Sequence, residues 1–344
     1  MIRKLSEAFG PSGYEEEIRE LIRSFLPDSC VVETDRFGNL YATKRGTKQS
    51  NAKVMLCAHM DEVGLIISKI YEDGTLGFQT VGGMSADCLS GKRVVVGREG
   101  VRGVIGSVAV HLLSETEKKK GIPLSKLVID IGATDDNEAK KKVSLGDYAV
   151  FDTAFSEEAD RFMGKALDDR LGCCAVIEVL NKVTPENFDI IACFTAQEET
   201  GVRGAKVAAQ TIAPDLALVF ETTTCNDVPN ILPQQRVTEL GEGIALSVAD
   251  AYTLYPATLR ERLLSIAEDR NIPVQIKNQT YGGNDCGSIS IANEGTPVAV
   301  FSVPCRYLHT PLSICSRNDY QAGIDLATSF LEELEKSVWN CSDN

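Results

Sequence analysis

Phe188–Gly201 reads FDIIACFTAQEETG. Its first part is a continuous apolar run of strand length, the pattern of a strand buried within a sheet. Two adjacent carboxylates, Glu198 and Glu199, follow it directly. Glu is almost never buried unless it is paired or bound to a cation. One answer is that any strand must end in polar residues at the surface, and for this pair taken alone that answer suffices. The rest of the chain changes the balance.

Outward from this stretch the pattern alternates between helix and strand. DDRLGCCAVIEVLNKV (168–183) reads as a helix before it, GAKVAAQTI (204–212) as a helix after it, and DLALVFE (215–221) as the next strand. A helix over 257–271, strands over 273–278 and 297–304, and a final helix over 317–338 continue the series. Strands alternating with helices imply an α/β fold with a mostly parallel sheet flanked by helices. Before it, Ser12 and Glu15 have the spacing of a capping box, with Ile18, Leu21, Ile22 and Phe25 on one face of the helix that follows. RFGNLYATK (36–44) reads as a hairpin around Gly38, and AKVMLCA (52–58) and VGLIISKI (63–70) as strands. From 71 to 161 the texture changes to short, glycine-punctuated β segments, the signature of a small all-β unit, barrel or sandwich. Only TDDNEAKKKV (134–143) within it reads as helical. The expected organisation is an α/β domain from residues 1–70 plus 162–344, with a β-barrel-like domain inserted at 71–161.

The chain has 344 residues, 43% of them hydrophobic, enough for a substantial core, and a formal net charge of -14. That charge repels nucleic acid and anionic membrane, so neither is an expected partner. No apolar run reaches the length of a membrane span, and the N-terminus lacks the apolar stretch of a secretory signal. The 11 cysteines lie mostly within apolar runs, with no CxxC pair. Buried free thiols in a reducing cytoplasm explain them better than disulfides or a zinc ribbon, so a cytoplasmic location is expected.

In open α/β sheets, ligands bind beyond the carboxyl ends of the strands. His59 and Asp61 follow the strand at 52–58, Glu198 and Glu199 follow 188–196, Glu221 ends 215–221, and His309 lies beyond 297–304. Asp168 and Asp169 open a helix. Singly each has a bland reading: a hydrogen-bonded histidine, a helix-capping aspartate, a surface glutamate at a strand end. Jointly they place two of the three histidines and several carboxylates at one edge of one sheet. Such a set suits two cations of the Zn²⁺, Co²⁺ or Mn²⁺ type, with no thiolate set available. His111, in the β unit, has no carboxylate near it in sequence and is read as structural.

AHMDEVG (58–64), GKALDDRLG (164–172), QEETGVRGA (197–205), VFETTTCNDVP (219–229), GGNDCG (282–287) and PCRYLHTP (304–311) occur in an order and context that resembles the M42 family of metalloaminopeptidases. That family includes the TET aminopeptidases, glutamyl aminopeptidase, and members labelled endoglucanase or FrvX-like. The resemblance spans nearly the whole chain. It implies a dinuclear-zinc peptidase-like fold and two divalent metal ions per subunit, zinc foremost, with cobalt or manganese as alternatives. His59 and Glu221 would complete the first metal site, Glu199 and His309 the second, and Asp168 would bridge both. Glu198 would be the catalytic base, and Asp61 would orient the His59 ring. The substrates implied are peptides with a free N-terminus, and the assembly is a homo-oligomer of dimers joined through the insertion, up to a dodecamer. Glu221 stands where many members have Asp, and Asn284, Cys305 and Ser313 also depart from common residues without touching the ligand set. A related dimetal carboxypeptidase or N-deacylase would carry an α+β insertion instead. A cellulase would give the histidines no purpose, and a non-catalytic assembly protein would not need the ligand set intact.

Overall fold

The computed structural model describes residues 1–48, 50–115 and 121–336. Helices Ile2–Glu7 and Glu16–Arg23 precede strands β1 (Val31–Thr34), β2 (Leu40–Lys44) and β3 (Lys53–His59). Strands β4 (Gly64–Ile70), β5 (Leu76–Val81), β6 (Arg93–Val96), β7 (Val101–Gly106), β8 (Val128–Asp130) and β9 (Tyr148–Phe151) close into a barrel in the order β4-β5-β8-β7-β6-β9. The chain then adds β10 (Ser156–Glu158), β11 (Arg161–Gly164), β12 (Asp189–Thr195), β13 (Leu216–Thr224), β14 (Ile244–Leu246), β15 (Val274–Ile276), β16 (Val298–Arg306) and β17 (Ser313–Ser316). These join β1–β3 in an 11-stranded sheet whose main path is β1-β2-β12-β3-β13-β16-β17-β11-β10.

The sheet is mixed, which corrects the expectation of a mostly parallel one. Its centre, β12-β3-β13-β16, is parallel. On one side β2 returns antiparallel to β12, and on the other β17 and β11 run antiparallel. The reason is connection length: short links (β2 to β3, β16 to β17) let the chain fold straight back, whereas parallel strands need a crossover. The central strands read as unbroken apolar runs because both faces are covered. Along β3, Val54, Leu56 and Ala58 enter one core with the helices Leu167–Lys182 and Arg317–Lys336. Met55 and Cys57 face the other core with the helix Arg203–Ile212. β12 and β13 divide their residues the same way, as the two-residue pleat requires. Phe194 and Phe301, both fully buried, each stabilise the fold by about 1.5–3 kcal/mol.

The barrel has its own core, including Leu65, Ile67, Val94, Val96, Ile105 and Ile129. Its first strand is the 63–70 segment expected in the α/β half, and β9 ends at Phe151, so the all-β unit begins and ends earlier than its composition suggested. β10 and β11, expected inside it, pair instead at the edge of the large sheet. The cysteines among the described residues are free thiols, and Cys341 lies outside those residues. The last positions of the expected final helix, Ser337 and Val338, also lie outside them. Among the described residues no helix is long and apolar enough to cross a membrane.

Candidate active site

Parallel register decides what the strand ends bring together. Thr195 of β12 lies opposite His59 of β3, and Val219 of β13 lies opposite Cys57, which sets Glu221 level with His59. The fourth contribution, Asp168, comes from the opening of the helix Leu167–Lys182. There Asp168 (φ -82°, ψ 110°) and Asp169 (φ -118°, ψ 45°) leave helical geometry, and their shared peptide bond is cis. Regular helix begins after them, and Asp169 caps it, its Oδ1 accepting the Gly172 amide at 3.0 Å, so the Asp168 carboxylate is left to face the two histidines. His309 sits in the turn between β16 and β17 with a positive φ of 55°.

The carboxylate of Asp168 lies between the two imidazoles. Its Oδ1 is 3.3 Å from His59 Nε2 and its Oδ2 is 3.2 Å from His309 Nε2. Glu221 Oε1 approaches His59 Nε2 at 3.5 Å, and Glu199 Oε1 approaches His309 Nε2 at 3.2 Å. Two triads result, His59–Asp168–Glu221 and Asp168–Glu199–His309, each with its donor atoms within 4.8 Å of one another. They share Asp168.

Each imidazole is oriented by its other nitrogen. His59 Nδ1 lies 3.1 Å from the Asp61 carbonyl, and the Asp61 carboxylate is farther, at 3.6 Å. The orienting group is therefore the main chain of Asp61. Its carboxylate has a different occupation: Oδ1 accepts the Glu198 amide at 2.9 Å and Oδ2 the Glu199 amide at 3.1 Å. His309 Nδ1 lies 2.9 Å from the carbonyl of Gly83, in the loop after β5. The barrel thus helps to orient a site histidine without supplying a member of either histidine–carboxylate group. With each Nδ1 directed at a main-chain carbonyl, each ring turns its Nε2 towards the carboxylates.

The electrostatics are those of a site short of positive charge. Burial pushes the Glu221 carboxyl up to about 8, with Asp168 adding to the rise against the opposing pull of the His59 ring. Burial also raises Glu198 well above the ordinary range, His59 opposing and Glu221, Asp285 and Glu199 reinforcing it. Burial alone would lower His309, but Asp168 and Glu199 outweigh it and hold the ring up at about 11. Among the described residues no lysine or arginine is within ion-pair distance of Asp168, Glu198, Glu199 or Glu221, and Glu199 Oε1 is buried without a hydrogen bond. Imidazole and carboxylate donors with unsatisfied negative charge fit divalent cations.

Sequence reasoning located His59, Asp61, Asp168, Glu198, Glu199, Glu221 and His309, and the structure brings all of them to one edge of the sheet. It missed Ser12 and Glu15. The expected capping box does not form: Glu15 is the N-cap of Glu16–Arg23 with no side-chain cap, while Ser12 Oγ bonds Asp61 and Glu15 Oε1 accepts the Gln197 amide. Asp285, buried against Thr195 and Cys57 behind the site, is not singled out by the sequence although it lies within GGNDCG. The departures from common residues serve packing: Asn284 bonds Asp250 and Tyr255, Ser313 bonds the Tyr307 carbonyl, and Cys305 lies opposite Cys315. His111 is exposed, outside the cluster.

Comparison with known proteins identifies the family. Residues 38–326 match the sequence model of the family described as M42 glutamyl aminopeptidase. The lysyl aminopeptidase of Pyrococcus furiosus is 33% identical over 348 residues, covering 97% of each chain. An aminopeptidase structure from Desulfurococcus kamchatkensis superposes with a TM-score of 0.92 at 35% identity, covering 96% of this chain and 93% of that one. The TET1 peptidase of Pyrococcus horikoshii, described as assembling into a tetrahedron or a large octahedral shell, gives 0.86 at 33% identity over 96% of this chain and 98% of its own. Sequence match, shared fold and an intact strand-edge cluster lead to one conclusion: the chain belongs to the M42 family of aminopeptidases.

Proposed function

We propose that the chain removes the N-terminal residue of peptides at this cluster, with two divalent cations, zinc foremost and cobalt or manganese as alternatives. The observation that carries the reading is the pair of triads sharing Asp168. His59 and Glu221 would hold one cation, Glu199 and His309 the other, with Asp168 common to both. When bound, such a pair supplies Lewis-acid polarisation of the scissile carbonyl and makes water acidic enough to be a nucleophile near neutral pH.

The chain's own groups do the rest. Glu198 belongs to neither triad and stays free to take the proton of the attacking water on a carboxylate oxygen, then return it to the leaving amine. Its burial among other acids raises its basicity, which suits that task near neutrality. The Asp61 carboxylate, holding both amides, keeps Glu198 and Glu199 in separate roles on adjacent residues. The acidic groups beside the cations would hold the ammonium of a free N-terminus, which confines cleavage to the first residue. As in the shell-forming relative, the subunits would form a homo-oligomer, from dimers up to a dodecamer, with the barrel at the contacts.

The test is turnover of a panel of Xaa-p-nitroanilides by chelated protein, with each cation added back. Activity should vanish on chelation and return with Zn²⁺, Co²⁺ or Mn²⁺. Full activity without metal overturns the dinuclear mechanism, and preference for N-acylated substrates points to a deacylase instead.

A further inference from the structure

The segment Phe9–Glu15 carries buried polar groups that the proposed chemistry does not use. Ser12 is 3% exposed and Glu15 5%. The segment lies alongside the residues that follow β3: the Glu62 amide donates to the Gly10 carbonyl at 3.0 Å, and the Ser12 amide donates to the Glu62 carbonyl at 3.3 Å. A parallel bridge between Pro11 and Glu62 fixes the register.

From that position both side chains reach the loop 197–199. Glu15 Oε1 accepts the Gln197 amide at 3.1 Å and the Gly13 amide at 2.6 Å. Ser12 Oγ donates to Asp61 Oδ2 at 2.5 Å, and Asp61 in turn accepts the amides of Glu198 and Glu199. Three successive amides are thus held by two carboxylates from different segments, one of them steadied by a serine. Gln197 has a φ of 59°, a left-handed conformation that a residue with a side chain keeps only where its surroundings over-determine it. Strand β12 ends at Thr195, and neither its ladder nor the next helix supplies these bonds.

We propose that Ser12 and Glu15 are positioning residues for the peptidase reaction, acting through Asp61 and the 197–199 amides to aim the Glu198 and Glu199 side chains. This rests on the reading of the site given under Proposed function. A misplacement of about 1 Å at a reacting group can cost on the order of 100-fold in rate, so the brace should show in kcat and not in KM.

The experiment uses full-length Ser12→Ala, Ser12→Thr, Glu15→Ala and Glu15→Gln. It measures kcat and KM on the best p-nitroanilide, hydrogen–deuterium exchange of the peptide spanning 195–202, and the thermal midpoint. Threonine keeps the hydroxyl donor, and glutamine keeps the oxygen acceptor. The alanine variants should exchange faster at 197–199 and lose kcat by about 10- to 100-fold, with KM and the barrel's exchange unchanged. The conservative variants should restore both readouts. Wild-type kcat and exchange in the alanine variants overturn the proposal. So does a general loss of stability that threonine and glutamine fail to repair. Should Ser12→Ala not fold, the Glu15 pair reads the same amides and decides alone, and failure of both alanine variants to fold makes these residues determinants of the fold instead. A wild-type protein inactive on every free-amine substrate sinks the peptidase reading, while the exchange data still decide whether the brace exists.

Discussion

Two clusters of buried acidic charge lie side by side beyond β3, and they are built on opposite principles. In the first, Glu62 meets cations from its own chain. Lys165 Nζ donates to both of its oxygens, at 2.6 and 2.8 Å, and Arg170 Nη2 lies 3.2 Å from Oε1. Their other hydrogen bonds go to the carbonyls of Leu5, Ala8 and Gly10, while Arg170 Nε is buried without a hydrogen bond. In the second, the only basic groups within ion-pair distance of Asp168, Glu199 and Glu221 among the described residues are imidazoles, and Glu198 has none. The two interleave in sequence, since Glu62 follows Asp61 and Lys165 and Arg170 flank Asp168. A buried carboxylate whose counter-ion is built in ties segments together. One without such a partner leaves its negative charge for an external cation.

Substitutions in the two clusters should therefore fail differently. The largest effect is expected in the second. Glu198→Gln removes the proton acceptor and leaves both triads whole, so kcat should fall by about 10²–10⁴-fold at unchanged metal content. Glu199→Gln replaces a ligand with a neutral amide and should lose a cation, with partial rescue by excess metal. Turnover and metal content per subunit check both. If Glu198→Gln loses a cation, or Glu199→Gln keeps both, the division of roles is wrong.

The first cluster should register in stability. Glu62→Gln strands Lys165 and Arg170 as buried charges, and breaking such a pair costs about 3–5 kcal/mol. Denaturant midpoints should show this, with the metal content of the folded fraction unchanged. A variant of normal stability with lost metal would erase the distinction between the clusters. The smallest effect belongs to an exposed pair, Arg98 and Glu16 at 2.7 Å, which links the barrel to the helix Glu16–Arg23. Its side chains are 70% and 63% exposed, so Arg98→Ala should cost no more than about 1 kcal/mol. A larger cost would mean that burial is not what separates the weak ion pairs of this protein from the strong ones.

Much of the second cluster was legible because strand ends in a parallel centre share one edge, and any His or acid just past an apolar run must arrive there. The brace was not legible. Serine followed three residues later by glutamate fits a capping box equally well, and nothing local says which amides Ser12 and Glu15 will meet. Their partners, Asp61 and Gln197, are remote in sequence. The orientation of His309 was hidden for the same reason, since Gly83 enters from the barrel and a carbonyl acceptor leaves no trace in residue type.

What the sequence determined by itself was the α/β alternation, the existence of a β insertion, and the membership of the strand-edge cluster. These follow from hydrophobic periodicity and from the cost of burying charge, both of which act locally along the chain. Tertiary structure alone decided the antiparallel flanks of the sheet and the assignment of 63–70 to the barrel. It also decided that the Asp61 carbonyl orients His59 while its carboxylate holds Glu198 and Glu199. Each of these depends on which partner fills a hydrogen bond, and main-chain donors and acceptors are the same for almost every residue type.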